Sequence, residues 1–404
     1  MRSSAVHTNV AERTPAPTRA PVPRFVAWLL VAPAALLFLL SYGWPTLDLL
    51  SSSLFADRGR GGGWGFIFSS PFLSQLGHAL SYALFPILLL ATVAPAFAWA
   101  ASRVGLAGRW VARAALALPL AVFAPTGLAL LWINKHREGG SPGAPTDWDG
   151  RIVMLATLGA FLFAVPVTCY LAALRRCEPR TPTRPAFAVV GVVLALAAIG
   201  FAVQQYTFVS LVDNAVENQG QSGTGTPMAV LDGTGGDPRW APVAVTMLLI
   251  LAVLGVAAAL ILLRSGLRME FDPTVRSVDD GPALAGPRRL ALAGTAAGVV
   301  ALLVFIVLQL GPWLSGVATG TPELPAEFGA LSVFTSTWLI PLGTALVQVL
   351  VAALAGFGIA VGRPFGRHSE WLLLAFAPWL FVGNGLLELP RLSTGAEGLQ
   401  PLIA

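Results

Sequence analysis

Charge is the scarcest property of this 404-residue chain: Asp, Glu, Lys and Arg together make up 11% of it. A soluble domain carries roughly a quarter. With 55% hydrophobic residues, a solvated surface of ordinary composition cannot be built, so a water-soluble globular fold is excluded. Lysine is nearly missing, since Lys135 is the only one among 25 basic residues. Ala, Gly, Arg and Pro abound while Lys and Asn are scarce, the usage of GC-rich coding DNA and a bacterial source.

Other absences remove whole classes of chemistry. The two cysteines, Cys169 and Cys177, fall near one helix end expected in the reducing cytoplasm, so neither a disulfide nor a metal site is expected there. The four histidines, His7, His78, His136 and His368, lie in loops or the tail without metal-ligand spacing, so zinc is not expected. No glycine-rich loop runs into Lys-Ser or Lys-Thr, so the chain is not expected to bind ATP by itself. The stretch Gly59–Gly65 follows no strand and opens no helix of the phosphate-binding kind. No nucleophile–base constellation appears, and neither an enzyme activity nor a cofactor is expected. The net charge of +5 comes from arginines in short loops beside apolar runs, where they set topology, so nucleic acid is not an expected partner.

What is present is a series of apolar runs of about 20 residues, each long enough to cross a hydrocarbon layer of roughly 30 Å as a helix. Barrel strands would be about half as long and would alternate in polarity. The expected class is therefore an all-α polytopic membrane protein with nine spans. They are placed near Phe25–Gly43, Ala79–Ser102, Val111–Ile133, Arg151–Leu174, Ala186–Leu211, Ala241–Leu263, Leu290–Gly311, Trp338–Val361 and Trp371–Leu389. Residues 1–24 read as a disordered cytoplasmic tail. Residues 25–263 read as a six-span domain, 264–289 as a cytoplasmic linker, and 290–404 as the start of a second, incomplete copy.

With the N-terminus inside, Arg24, Arg103, Arg109, Arg113, Arg175, Arg176, Arg180, Arg184, Arg264, Arg288, Arg289, Arg363 and Arg367 all fall on cytoplasmic segments, as the positive-inside rule requires. The C-terminus then lies outside. Trp28, Trp44, Trp64, Trp132, Trp240, Trp313, Trp338 and Trp371 sit near span ends, at headgroup depth. Two long outside loops are expected, Thr46–His78 and Val212–Trp240. Prolines within spans (Pro33, Pro86, Pro95, Pro119, Pro125, Pro166, Pro341 and Pro378) kink helices or break their ladders.

Polar residues inside spans are the candidate functional groups, because an unpaired polar atom in lipid is costly. They are Gln204, Gln205 and Tyr206 in the fifth span, Gln309 in the seventh, Gln348 in the eighth, and Asn384 with Glu388 in the ninth. Charges at mid-span are nearly absent, which argues against proton- or sodium-coupled transport. Neutral amides suit a hydroxyl-rich, uncharged solute. They equally suit hydrogen bonds between helices.

Two segments carry a family likeness. FVAWLLVAPAALLFLLSYGWPTLDLLSSSLF (Phe25–Phe55) has an apolar run, a proline and a Ser-Phe-like exit. HALSYALFPILLLATVAPAFAWAASRVGLAGRWVARAALALPLAVFAPTGLALLW (His78–Trp132) has a short arginine turn, the Leu118–Pro119 step and a span ending in Trp. Both resemble the integral-membrane permease of bacterial ABC importers of the maltose and carbohydrate-uptake type. The glycine-rich loop Gly220–Gly236 is similar to the outside loop before that family's last span. Thr335–Arg367, with AALAGFGIAVGR (Ala352–Arg363), resembles the partner permease. The resemblance implies a polar-solute path in the bacterial plasma membrane, ATP-binding cassette ATPase subunits, and an extracytoplasmic solute-binding protein. It further implies that Arg175, Arg176, Glu178, Arg180 and Arg184 meet the ATPase. The family's EAA…G coupling signature is reduced here to Ala172–Ala173 in YLAALRRCEPRTPTRPAF (Tyr170–Phe187), with Pro179, Pro182 and Pro185 opposing a helix.

Two other classes stay open. One is a membrane glycosyltransferase with a lipid-linked donor, using Asp48 or Asp57 as base or metal ligand. The other is a non-catalytic structural membrane protein. The topology is directly checkable: reporter fusions after Arg175 and Arg264 are expected to report the cytoplasm and a fusion within 212–240 the outside. An outside signal at Arg175 refutes this arrangement.

Overall fold

The computed structural model describes residues 23–55, 63–121, 159–174, 184–204, 239–265, 286–319, 331, 335–383 and 386–387, and these are helical with no strand among them. Ten α-helices are defined among the described residues: α1 Arg24–Phe38, α2 Trp44–Phe55, α3 Gly63–Ile67, α4 Ser70–Ser102, α5 Leu106–Ala121, α6 Ala160–Leu174, α7 Arg184–Val203, α8 Trp240–Ser265, α9 Arg288–Thr319 and α10 Ile340–Phe357. Six stretches are long and apolar enough to cross a membrane: Arg24–Leu54, Ser70–Ser102, Arg184–Val203, Trp240–Ser265, Arg288–Val307 and Ile340–Gly362. A shorter apolar helix, Phe161–Leu174, accompanies them. The chain is thus a polytopic helical membrane protein by length and composition of its helices.

The expected spans at both ends of the chain differ in instructive ways. The first does not stop at Gly43. A π-helical turn, Leu39–Gly43, joins α1 to α2. Pro45 has no N–H and its ring crowds the carbonyl four residues back, at Ser41 inside that turn. A wider turn admits the proline and lets the helix continue. The expected outside loop Thr46–His78 is therefore largely helical. Residues 46–55 belong to α2, and 70–78 are the first turns of α4, which begins after an extended Ser69 with a proline in its first turn, a favoured helix start. The polar residues that suggested a loop are absorbed locally. Ser51 Oγ donates to the Asp48 carbonyl and Ser53 Oγ to that of Leu50, both at 2.8 Å.

Of the ninth expected span, Trp371–Leu389, the described stretch 371–383 is not α-helix, and only 386–387 are. Gly366–Ala375 and Ala377–Trp379 are 3-10 helix, and further i to i+3 bonds follow from Leu380 N to Ala377 O, Val382 N to Trp379 O and Leu386 N to Gly383 O. Of the expected third, fourth and fifth spans, residues 111–121, 159–174 and 186–203 are helical where described. Residues 266–285 of the expected linker and 1–22 of the expected tail lie outside the described residues.

The long α4 is central, packing on α6, α7, α9, α5 and α3. Two packed regions separate along it. Ala94, Phe97, Ala98 and Ala101 meet α5, α6 and α9 through Ala112, Leu116, Phe163, Val167 and Val299. At its other end Phe72 joins Leu49, Ile67, Val203 and the α8 residues Val243–Leu251. A second group consists of α1, α10 and the π-helical turn Gly358–Gly362, while the 3-10 segment packs mainly on α8. Ala27 lies against Gly362, where a Cβ would overlap it, and Trp28 meets Phe365 edge-on at 5.1 Å. These contacts place Arg24, Arg103, Arg184, Arg264, Arg288, Arg289 and Arg363 at one end of the molecule, called the basic end below. Buried Arg109 sits there too, its Nη1 donating to the Val104 carbonyl at 3.1 Å.

Close helix contact follows from small side chains, since lipid supplies no hydrophobic drive between helices. On α9, Gly294 faces Ala100 and Gly298 faces Phe97. The outward surfaces are apolar, as on Leu84 and Leu88 of α4, Val253 of α8 and Val304 and Val307 of α9. Gly298→Ala would overlap the Phe97 ring and is expected to destabilise by about 1–3 kcal/mol. Gly343→Ala, with open space around it, is expected to be neutral or stabilising by up to about 1 kcal/mol. Thermal unfolding of both variants in detergent checks this contrast.

Candidate functional site

Among the described residues, Gln204 is tied by its side chain to a distant element. It follows the last residue of α7, about 30 Å from Arg184 by helical rise, and so lies at the end opposite the basic one. Its Nε2 donates to the Phe381 carbonyl at 2.6 Å, and its Oε1 accepts from the Gly383 N–H at 2.7 Å. One amide thus makes both bonds to the backbone of 381–383. That is the pattern one strand offers another, supplied here by a side chain.

The segment held in this way has built-in room. Gly200, one turn before Gln204, leaves space for Phe381, whose Cβ would be 3.2 Å from a Cβ placed there. Gly255 on α8 lies so near the Ala377 carbonyl that any Cβ would overlap it. Trp379 Nε1 donates to Thr46 Oγ1 at 3.0 Å. Phe38 takes both Phe376 and Trp379 edge-on, with centroids at 4.8 and 4.9 Å. At its start the segment turns through two left-handed residues, Arg363 (φ 45°) and Gly366 (φ 61°). Ser369 closes this turn, accepting from Phe365 N–H and donating to the Gly366 carbonyl, both at 2.9 Å.

The segment runs between the two ends of the molecule. Phe365 stands beside Trp28 near the basic end, and Trp379 beside Thr46 toward the opposite one. Residues 366–379 rise about 28 Å at the 3-10 value of about 2.0 Å per residue. As α-helix they would rise about 21 Å.

The other predicted residues are not brought together with Gln204. Gln205, Tyr206, Asn384 and Glu388 lie outside the described residues. Gln309 belongs to α9, and its side chain is outside the described part. Gln348 is on an exposed face of α10, whose principal partner is α1. Of the proposed ATPase contacts, Arg175, Arg176, Glu178 and Arg180 lie outside the described residues, and Arg184 is exposed at the start of α7. The flanks of that turn are fixed: Tyr170 stacks on Phe187 at 4.2 Å and 7°, and its hydroxyl donates to the Phe187 carbonyl at 3.5 Å. Asp48 is exposed on α2, and Asp57 is outside the described residues. No group of three His, Cys, Asp or Glu able to hold a metal occurs among the described residues.

Sequence reasoning missed Thr46, Trp379, Gly200, Gly255 and Ser369. The glycines were detectable as small residues inside long spans, and Pro378 marked the ninth run as a poor α-helix. Comparison with known proteins adds no name: no family model, no curated protein and no solved structure matches this chain.

Gln204→Leu removes both bonds and leaves the Gly383 N–H and Phe381 carbonyl unserved. A loss of about 1–3 kcal/mol is expected, read as faster hydrogen exchange at Gly383 and a lower melting temperature. Trp379→Phe, which loses only the bond to Thr46, is expected to cost about 0.5–1.5 kcal/mol.

Proposed function

We propose that the chain is the membrane-embedded permease of an ATP-driven importer, forming the path for a polar, uncharged solute such as a sugar, in the plasma membrane of a bacterium. The observation that carries this reading is the irregular helical segment 366–383, held by a side-chain amide. Non-α backbone at membrane depth is tolerated only where protein or a water-filled cavity covers it, and interrupted helices are a recurrent element of solute paths. The purely structural alternative has no need of such a segment.

The neutral character of the polar groups supports an uncharged solute, because a neutral amide exchanges hydrogen bonds with hydroxyls at little cost in buried charge. The N-terminus is cytoplasmic in this reading, so the basic end faces the cell interior. Energy comes from separate ATP-binding cassette subunits that dock at the 175–183 turn, between the ends fixed by Tyr170 and Phe187. A solute-binding protein delivers solute at the opposite end. The sequence likeness of 25–132 and 335–367 to carbohydrate permeases points the same way.

Affinity purification of the full-length chain from membranes of its native host is expected to recover an ATP-binding cassette ATPase. Changing Arg175, Arg176, Arg180 and Arg184 together to Glu is expected to lower recovery at least tenfold while membrane insertion persists. Absence of any such ATPase from the unmodified chain's eluate refutes the ATP-driven reading.

A further inference from the structure

A 3-10 helix of ten residues is unusual, because its eclipsed side chains and poorer hydrogen bonds keep most runs to three or four. Here Gly366–Ala375 is followed after Phe376 by Ala377–Trp379, so the stretched form persists through the segment. Something must hold it extended. At the basic end the chain is pinned by packing of Gly358 and Gly362 on Ala27 and Val31, and by Phe365 on Trp28. At the other end stand the two bonds from Gln204, the Trp379–Thr46 bond and the close seat of Ala377 on Gly255.

We propose that residues 366–379 form a two-state element: a 3-10 segment kept stretched by a latch at Gln204, which shortens to α-helix bent at Pro378 when the latch opens. Shortening draws residues 380–387 toward the basic end by about 7 Å, the difference between about 28 and 21 Å of rise. Those residues include Val382, Leu386 and Leu387, which pack with Val203, Val243 and Leu251. Opening therefore unseats one wall of the packed region at the end opposite the arginines. The inference goes beyond the transport reading and needs neither an ATPase nor a solute.

The latch has the required strength. Two hydrogen bonds from one neutral amide are a modest restraint, and beyond the exposed His368 and Glu370 the outward face, with Trp371, Leu373 and Leu380, is exposed and apolar, so this part suits lipid in either form. Gly255 makes the seat dependent on a side chain of zero size, which gives an independent way to disturb it.

The test uses the full-length chain in lipid nanodiscs with Cys169→Ala and Cys177→Ala. Spin labels are placed at Val26→Cys on α1 and Leu380→Cys, both at exposed positions, and their separation is read by pulsed dipolar spectroscopy. A control pair, Leu84→Cys and Val253→Cys, reports α4 against α8, again at exposed positions. Gln204→Met, similar in size but without the amide, is expected to move the main Val26–Leu380 peak about 7 Å shorter and leave the control pair unchanged. Gly255→Ala, with Gln204 intact, is expected to populate the same shorter peak. An unshifted 26–380 distance in both variants overturns the proposal. So does a control pair that broadens together with it, since Gln204 would then hold the whole bundle and not one element.

Discussion

A chain crossing hydrocarbon must close its backbone hydrogen bonds without help from water, and every unusual feature of this protein answers to that requirement. Six stretches meet it with α-helix, two of them with a π-helical turn. The segment 366–379 uses i to i+3 bonds, a geometry that gains length at the expense of bond quality. Where its ladder turns irregular at 381–383, the Gln204 amide supplies one donor and one acceptor to the backbone. At the opposite turn the Ser369 hydroxyl does the same for Phe365 and Gly366. Polar side chains in this membrane protein thus complete the backbone where helices change direction or type.

Tertiary packing follows from a second constraint. Lipid tails are as apolar as leucine, so close fit and not hydrophobic burial brings helices together. Glycines stand where two elements approach most nearly: Gly298 at Phe97, Gly255 at Ala377, Gly362 at Ala27. Large apolar side chains point away, along α4, α8, α9 and α10. The α10 helix shows the limiting case, since it has no buried residue and leans on α1.

The helical membrane class was legible from the shortage of charge and from runs of about 20 apolar residues, because hydropathy over that length is additive and local. Gln204 was legible as a polar residue near a span end, but its partner was not. Phe381 and Gly383 contribute backbone atoms, which carry no residue-type signal. The Thr46–His78 region was misread because polar residues such as Ser51 and Ser53 look like loop residues, whereas their bonds to carbonyls three residues back let them ride on a helix. The 3-10 form was hidden for a related reason: WLLLAFAPWLFV is apolar throughout, so no periodicity separates three residues per turn from 3.6.

The period of three has a geometric consequence. Residues three apart on a 3-10 helix eclipse one another, so Phe376 and Trp379 stand in a straight file and both reach the single ring of Phe38. On an α-helix the second would be rotated aside by about 60°. The segment accordingly presents straight rails in place of spiral ridges. Rails of this kind let a neighbouring surface glide lengthwise with no accompanying rotation, which a pair of ordinary helices, meshed like screws, cannot do.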